Sequence, residues 1–290
     1  MHHPGNIALI TDSTCDIPTP LLERYCIRFI PLVLIWGGEP YRDRVDIQPD
    51  EFYRRLAAGG PLPTSSQPRA EDFVHLLEQV IDEGAQEAII LPLSSQLSGT
   101  IVSARQAAEM VDIPVHVVDS RTGGMALGWQ LLAAARVREA GGGVAEMLQA
   151  IEQVRQTEQI IFYVDSLEYL HRGGRIGGAA RLIGTALNLK PVLYVDHDIG
   201  RIEAGEKVRT RRRALERVYE LFFERMDLSR PVHVAVIHSN VEELAQTVAE
   251  RIRAEYNPAE LLVTPISPVM GTHIGPGALG ITGYYEPSAR

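Results

Sequence analysis

Four short segments concentrate side-chain hydroxyls: Thr11-Asp12-Ser13-Thr14, Thr64-Ser65-Ser66-Gln67-Pro68, Ser94-Ser95-Gln96-Leu97-Ser98-Gly99-Thr100 and Asp119-Ser120. Neutral hydroxyls and helix N-terminal amides, with no obvious catalytic base among them, suit holding an anion better than breaking a bond. Ordinary helix capping explains one hydroxyl at a helix start. It does not easily explain Ser94, Ser95, Ser98 and Thr100 together, so this cluster reads as a ligand site. Thr64 to Pro68, taken by itself, reads as a turn. Asp12 and Asp119 each follow an apolar run, and the commonest role for such a residue is to tie loop amides together. No nearby His, Asp or Glu completes a metal-ligand spacing, so no metal is expected.

Three further motifs leave two readings each. Gly173-Gly174-Arg175 places a guanidinium after two flexible residues, which suits a bidentate grip on a carboxylate or phosphate, or is a surface arginine in a glycine turn. Gly271 to Gly280 clusters glycines around His273. Gly275 to Gly280 formally matches a dinucleotide fingerprint, but only ten residues follow it, too few for the required βαβ unit. A loop whose backbone approaches a ligand or another chain fits better. Arg209-Thr210-Arg211-Arg212-Arg213 puts positive charge at a helix start, where the macrodipole disfavours it; the side chains serve either solvent or an anionic partner.

The elements that must position these residues alternate in the first half. Apolar runs at Ile7 to Ile10, Arg28 to Trp36, Ala88 to Leu93 and Val115 to Val118 predict strands. Pro49 opens a helix that Gly59-Gly60 closes, and Arg69 to Glu83 and Gly99 to Val111 predict two more. Such alternation implies a parallel sheet with helices on both faces, and ligands of open α/β sheets bind at the carboxyl edge. Two helices follow, Met125 to Ala140 and Val144 to Thr157. The second half predicts strands at 160–164, 191–195, 202–208, 232–238, 261–266 and 280–285, with a hairpin at Asp196 to Gly200 and helices at 211–226 and 241–256. The expected fold is α/β with two domains, 1–157 around a parallel sheet and 158–290 around a mixed one.

Composition narrows the function classes. The 290-residue chain is 45% hydrophobic and 22% charged, which is globular, and no apolar run approaches the roughly 20 residues of a membrane span. With no signal peptide evident, a cytoplasmic location is expected. Cys15 and Cys26 are the only cysteines, too few for a disulfide framework. A net charge of −9 argues against nucleic acid as a partner.

Taken together, these motifs resemble the DegV family, whose better understood members are fatty-acid-binding partners of bacterial fatty acid kinase. The resemblance rests on Thr11-Asp12-Ser13-Thr14, Pro63 to Pro68, Leu93-Ser94-Ser95 with Ser98-Gly99-Thr100, Asp119-Ser120, Leu170 with Gly173-Gly174-Arg175-Ile176, Leu189-Lys190-Pro191, Glu206 to Thr210, and Gly271-Thr272-His273 with Gly275-Pro276-Gly277. It implies a long-chain fatty acid as ligand, with Thr64 and Ser95 bonding the carboxylate and Ser65, Ser94, Ser98, Arg175 and His273 nearby. It also implies that Lys207, Arg209 and Arg211 lie where a fatty acid kinase subunit docks. Neither a cofactor nor catalysis of its own is expected, and transient contact with a membrane surface is left open. Two positions depart from the family pattern: members often have Thr where Ser65 stands and Gly where Gln96 stands.

Two rivals compete with the carrier reading. A serine hydrolase acting on acyl esters would use Ser95 or Ser94 with His273 and Asp12; the chain lacks the glycine-flanked nucleophile elbow. A kinase subunit holding a small hydroxylated substrate would need a histidine, and only His273 is a candidate.

Overall fold

Near-continuous apolar runs make the buried strands of the computed structural model, which describes residues 6–184 and 189–287. Every residue of β1 (Ile7–Asp12) is buried, as expected for a strand covered on both faces. It pairs in parallel with β2 (Ile27–Ile30) and β6 (Glu87–Ile90), and β6 pairs in parallel with β7 (Val115–Val117). The resulting four-stranded sheet has the order β2-β1-β6-β7.

The run Arg28 to Trp36, expected as a single strand, is two. Pro31 has no amide to continue the ladder, and the chain leaves the parallel sheet there. β3 (Val33–Trp36) instead pairs antiparallel with β4 (Glu39–Arg42) and β5 (Thr64–Ser66). Thr64 to Pro68 is therefore more than a turn, because its first three residues form an edge strand with Ser65 opposite Leu34.

The second half builds a six-stranded mixed sheet, β10-β9-β8-β13-β11-β12. Its members are β8 (Gln159–Tyr163), β9 (Val192–Asp196), β10 (Arg201–Ala204), β11 (Val232–His238), β12 (Glu260–Pro265) and β13 (Leu279–Tyr285). β11 runs parallel to β12 and antiparallel to β13, and β9-β10 is the expected hairpin. The α/β architecture with one parallel and one mixed sheet is thus present.

Helices fill the layers. α3 (Ala70–Asp82) buries Phe73, Leu77 and Val80, one face at helical spacing. α4 (Thr100–Ala108) and α6 (Val144–Thr157) fall where expected. α5 (Met125–Glu139) is buried almost all round, from Met125 to Arg138. It packs on both β1 and β13, and a helix between two sheets has no solvent face to make polar. Its Arg138 is buried and donates through Nη1 and Nη2 to the carbonyls of Ile7 and Tyr25. No helix among the described residues is long and apolar enough to cross a membrane.

Candidate functional site

α10 (Pro268–Ile274) carries the centre of the site. Its Met270, His273 and Ile274 stand at i, i+3 and i+4, one face of a helix, and all three line a cavity of about 390 Å³. Two buried carboxylates hold its start. Asp16 Oδ1 accepts from Ser267 N at 3.0 Å and Asp43 Oδ1 from Val269 N at 3.2 Å. On another face Gly271 lies against α2 (Pro49–Ala57), where an added Cβ would stand 2.6 Å from Tyr53 Oη. Only glycine permits that approach.

Facing His273 is Ser65 of β5, whose Oγ shares a 2.7 Å hydrogen bond with Nε2. Alternation along the strand turns Ser65 inward and leaves Thr64 exposed. Arg175 follows α7 (Glu168–Arg172) and reaches across to the loop before α4. Its Nε donates to Leu97 O at 2.9 Å and its Nη1 to Gly173 O at 2.7 Å, while Nη2 meets no acceptor among the described residues. Gly173 touches the imidazole: a Cβ there would lie 2.1 Å from His273 Nδ1. Ser98 completes the polar end, its Oγ 2.8 Å from Thr100 Oγ1.

Ser65, Ser98, Arg175 and His273 thus line one cavity, together with Gln67, which no local motif marks as a site residue. Thr64 joins Ser65, Arg175 and His273 along an adjoining groove of about 240 Å³ that also includes Tyr169 and Arg172. In the opposite sense Leu97, Ile202, Met270 and Ile274 also line a constricted apolar space of about 30 Å³ between the sheets, walled by Ile160, Phe162, Val195, Ile237 and Leu279.

The other hydroxyls are spent elsewhere. Ser94 Oγ donates to Gly200 O at 2.5 Å and accepts from Gln96 N at 3.1 Å; it is a buried tie between the two halves and lines none of these spaces. Ser95 and Gln96 are exposed and also lie outside the cavity. Thr11 Oγ1 donates to Leu91 O, and Asp12 accepts from Thr14 N, Thr14 Oγ1 and Leu93 N. Asp119 accepts from Ser95 N and Arg121 N. Both aspartates tie loop amides together, as the sequence suggested.

Among the basic residues assigned to docking, Lys207 and Arg209 are exposed. Arg211 differs: its Nη2 meets Asp165 Oδ2 at 2.6 Å, and Lys190 Nζ approaches the same carboxylate at 3.2 Å. Its charge is engaged within the chain.

Residues 6–286 match the family described as "Uncharacterised protein, DegV family". The chain belongs to the DegV family. Protein DegV of Bacillus subtilis is 38% identical over 278 residues, 95% of this chain and 98% of the relative. The crystal structure of DegV from Bacillus subtilis, described as a fatty acid binding protein, superposes with a TM-score of 0.89 over 97% of this chain and 99% of that one. A DegV family protein from Thermus thermophilus, described by its fatty acid binding, is 34% identical with a TM-score of 0.88, covering 96% and 99%. A stearic acid-binding protein from Eubacterium ventriosum is 25% identical with a TM-score of 0.88, covering 98% of each chain.

Electrostatically, this DegV protein offers an anion one permanent cation and several neutral donors. Burial, reinforced by the Arg175 charge, lowers the His273 pKa to about 4, so the imidazole is neutral near pH 7. A base that weak is poorly matched to drawing a proton from Ser65, and its Nδ1 is buried with no partner among the described residues. Asp12, which a Ser-His-Asp arrangement would need there, is bound to the Thr14 and Leu93 amides instead. The geometry suits holding a carboxylate.

Proposed function

We propose that this DegV protein binds a long-chain fatty acid, with the carboxylate held by Ser65, Ser98 and Arg175 beside neutral His273 and the acyl chain laid along the apolar space. The observation that carries this is the wall shared by the two spaces through Leu97, Ile202, Met270 and Ile274: a polar end with one cation lies beside a constricted space of Ile, Leu, Val, Phe and Met that an acyl chain would widen on entering. Three relatives described by fatty acid or stearic acid binding support it. Burial of each methylene is worth about 0.8 kcal/mol, so a sixteen-carbon tail gains on the order of 10 kcal/mol before ordering costs. A hydrogen bond to a charged carboxylate adds roughly 1.5–3 kcal/mol. The tail therefore supplies affinity, and the head group sets register.

The test is mass spectrometry of an organic extract of the purified protein, followed by uptake of added fatty acid. Recovery of acyl chains at near-stoichiometric amounts is expected. No chain and no uptake would refute the reading.

We further infer that the bound carboxylate is presented to a separate fatty acid kinase, which makes the acyl phosphate, so that the transfer chemistry belongs to the partner. The groove past Thr64, Tyr169 and Arg172 supports this by leaving the head-group end approachable. Lys207 and Arg209 are the side chains proposed to meet the partner, and Arg211 is withdrawn from that set because Asp165 holds it. Charge reversal at Lys207 and Arg209 should lower kinase coupling while fatty-acid binding survives; equal coupling would remove the docking assignment.

A further inference from the structure

A second cavity, of about 510 Å³, lies where the carboxyl ends of β11 and β12 meet α2 and the starts of α8 (Arg211–Glu224) and α9 (Glu242–Tyr256). It shares no lining residue with the fatty-acid slot. Its wall includes His238, which closes β11 and is only 5% exposed. His238 Nδ1 is sealed from solvent without a hydrogen-bond partner. Nε2 has no partner among the described residues either, and it is the ring nitrogen left to face the cavity. Nδ1 is the sealed nitrogen, and Nε2 is the one that a partner molecule in the cavity can reach.

The surroundings say what that partner is. Asp50, Glu242 and Glu243 line the same space, and none of them has an ion pair among the described residues. The one cation in the wall, Arg211, is bound to Asp165. Burial keeps His238 below the ordinary imidazole value although the charges of Glu242 and Asp50 act on it in the opposite direction, so the ring is neutral and one nitrogen is free to accept. An anion fits badly: Glu242 and Glu243 already occupy the first turn of α9 and complement its N-terminal amides. A metal ion fits badly too, because no group of three or more His, Cys, Asp or Glu among the described residues is arranged to hold one.

We propose that this cavity binds a small organic cation, an alkylammonium or guanidinium group that donates to His238 Nε2 and to the carboxylates of Asp50 and Glu242. Such a group spreads its donors over several acceptors.

The experiment titrates the full-length protein with agmatine and putrescine, and separately with the acetylated amides of arginine and lysine, following the His238 imidazole resonances and the heat of binding. His238→Gln assigns the resonances. Saturable shifts are expected, weakened about tenfold or more in the Asp50→Asn, Glu242→Gln double variant, a change of roughly 1.4 kcal/mol or more. Both carboxylates are exposed, so that variant should retain its fold and its fatty-acid binding. Tighter binding of the free amines points to a soluble metabolite, and tighter binding of the amino-acid amides to a side chain from a partner. Unshifted His238 resonances with every cation, equal shifts in the double variant, or a response to sulfate alone would each overturn the proposal.

Discussion

Arg175 is the side chain whose charge the proposed head group would meet, since the other ionisable group in the cavity wall, His273, is neutral near pH 7. Arg175→Gln keeps a donor of similar reach and removes the charge, so the dissociation constant for palmitate should rise by about tenfold to a hundredfold in a displacement assay. An unchanged value would move the carboxylate out of this cavity. Ser94 behaves in the opposite way. Its hydroxyl satisfies Gly200 O across the two halves, so Ser94→Ala should cost about 1–3 kcal/mol in denaturant unfolding and leave fatty-acid affinity unchanged. Lost affinity with unchanged stability would return Ser94 to the binding set. From the sequence the two residues look alike as candidates, one in a glycine turn and one in a serine cluster; which hydroxyl is consumed by a backbone partner 106 residues away is a tertiary fact.

At the level of elements, the site depends on the anchoring of α10. Asp16 and Asp43 hold its first amides from inside the protein, and burial raises both carboxyls to about 7. The unfolded chain releases these protons near 3.8. Their contribution to stability is therefore complete below that value and is lost as pH rises through about 7. Asp43→Asn cannot ionise, so between about pH 5 and about pH 8 the wild type should lose melting temperature relative to the variant. Parallel curves would show that Asp43 does not titrate in this window. Gly271 to Gly280 reads as a loop in the sequence because its glycines mask any helical period, yet Gly271 to Ile274 complete α10, so the lining face of Met270, His273 and Ile274 was not legible. Its anchors were not legible either, because nothing local marks Asp43 as the acceptor for an amide 226 residues away. The strand β5 was also missed, since three hydroxyl residues before a proline carry no strand signal until β3 offers them a partner.

Across the whole molecule, the slot exists only because the sheets of the two halves face each other around α10 and α5. Ile160, Phe162 and Leu279 come from the mixed sheet, and Gly123 comes from the loop after β7. A Cβ at Gly123 would meet Met270 Cε at 3.5 Å and Leu93 Cβ at 3.9 Å, ordinary contacts, so Gly123→Ala should fold and bind normally. Gly123→Leu extends into the apolar space. Each methylene it excludes costs about 0.8 kcal/mol, roughly fourfold in affinity, and competition between chain lengths should shift toward shorter acids. An unaltered preference would mean that the tail takes another route.

The amino-acid sequence alone determined the main βα alternation of the first half, the parallel and mixed sheets, and a supply of hydroxyls and one arginine suited to an acid, but not the small β4-β3-β5 sheet or α10. The features it determined follow from local periodicity and side-chain chemistry, which neighbours along the chain already express. Only the folded molecule decided that Ser65, Ser98, Arg175 and His273 share a cavity while Ser94 and Arg211 are tied up inside the protein. A hydrogen-bond donor can serve a ligand only if no closer acceptor has claimed it, and that is settled by groups far apart in the chain.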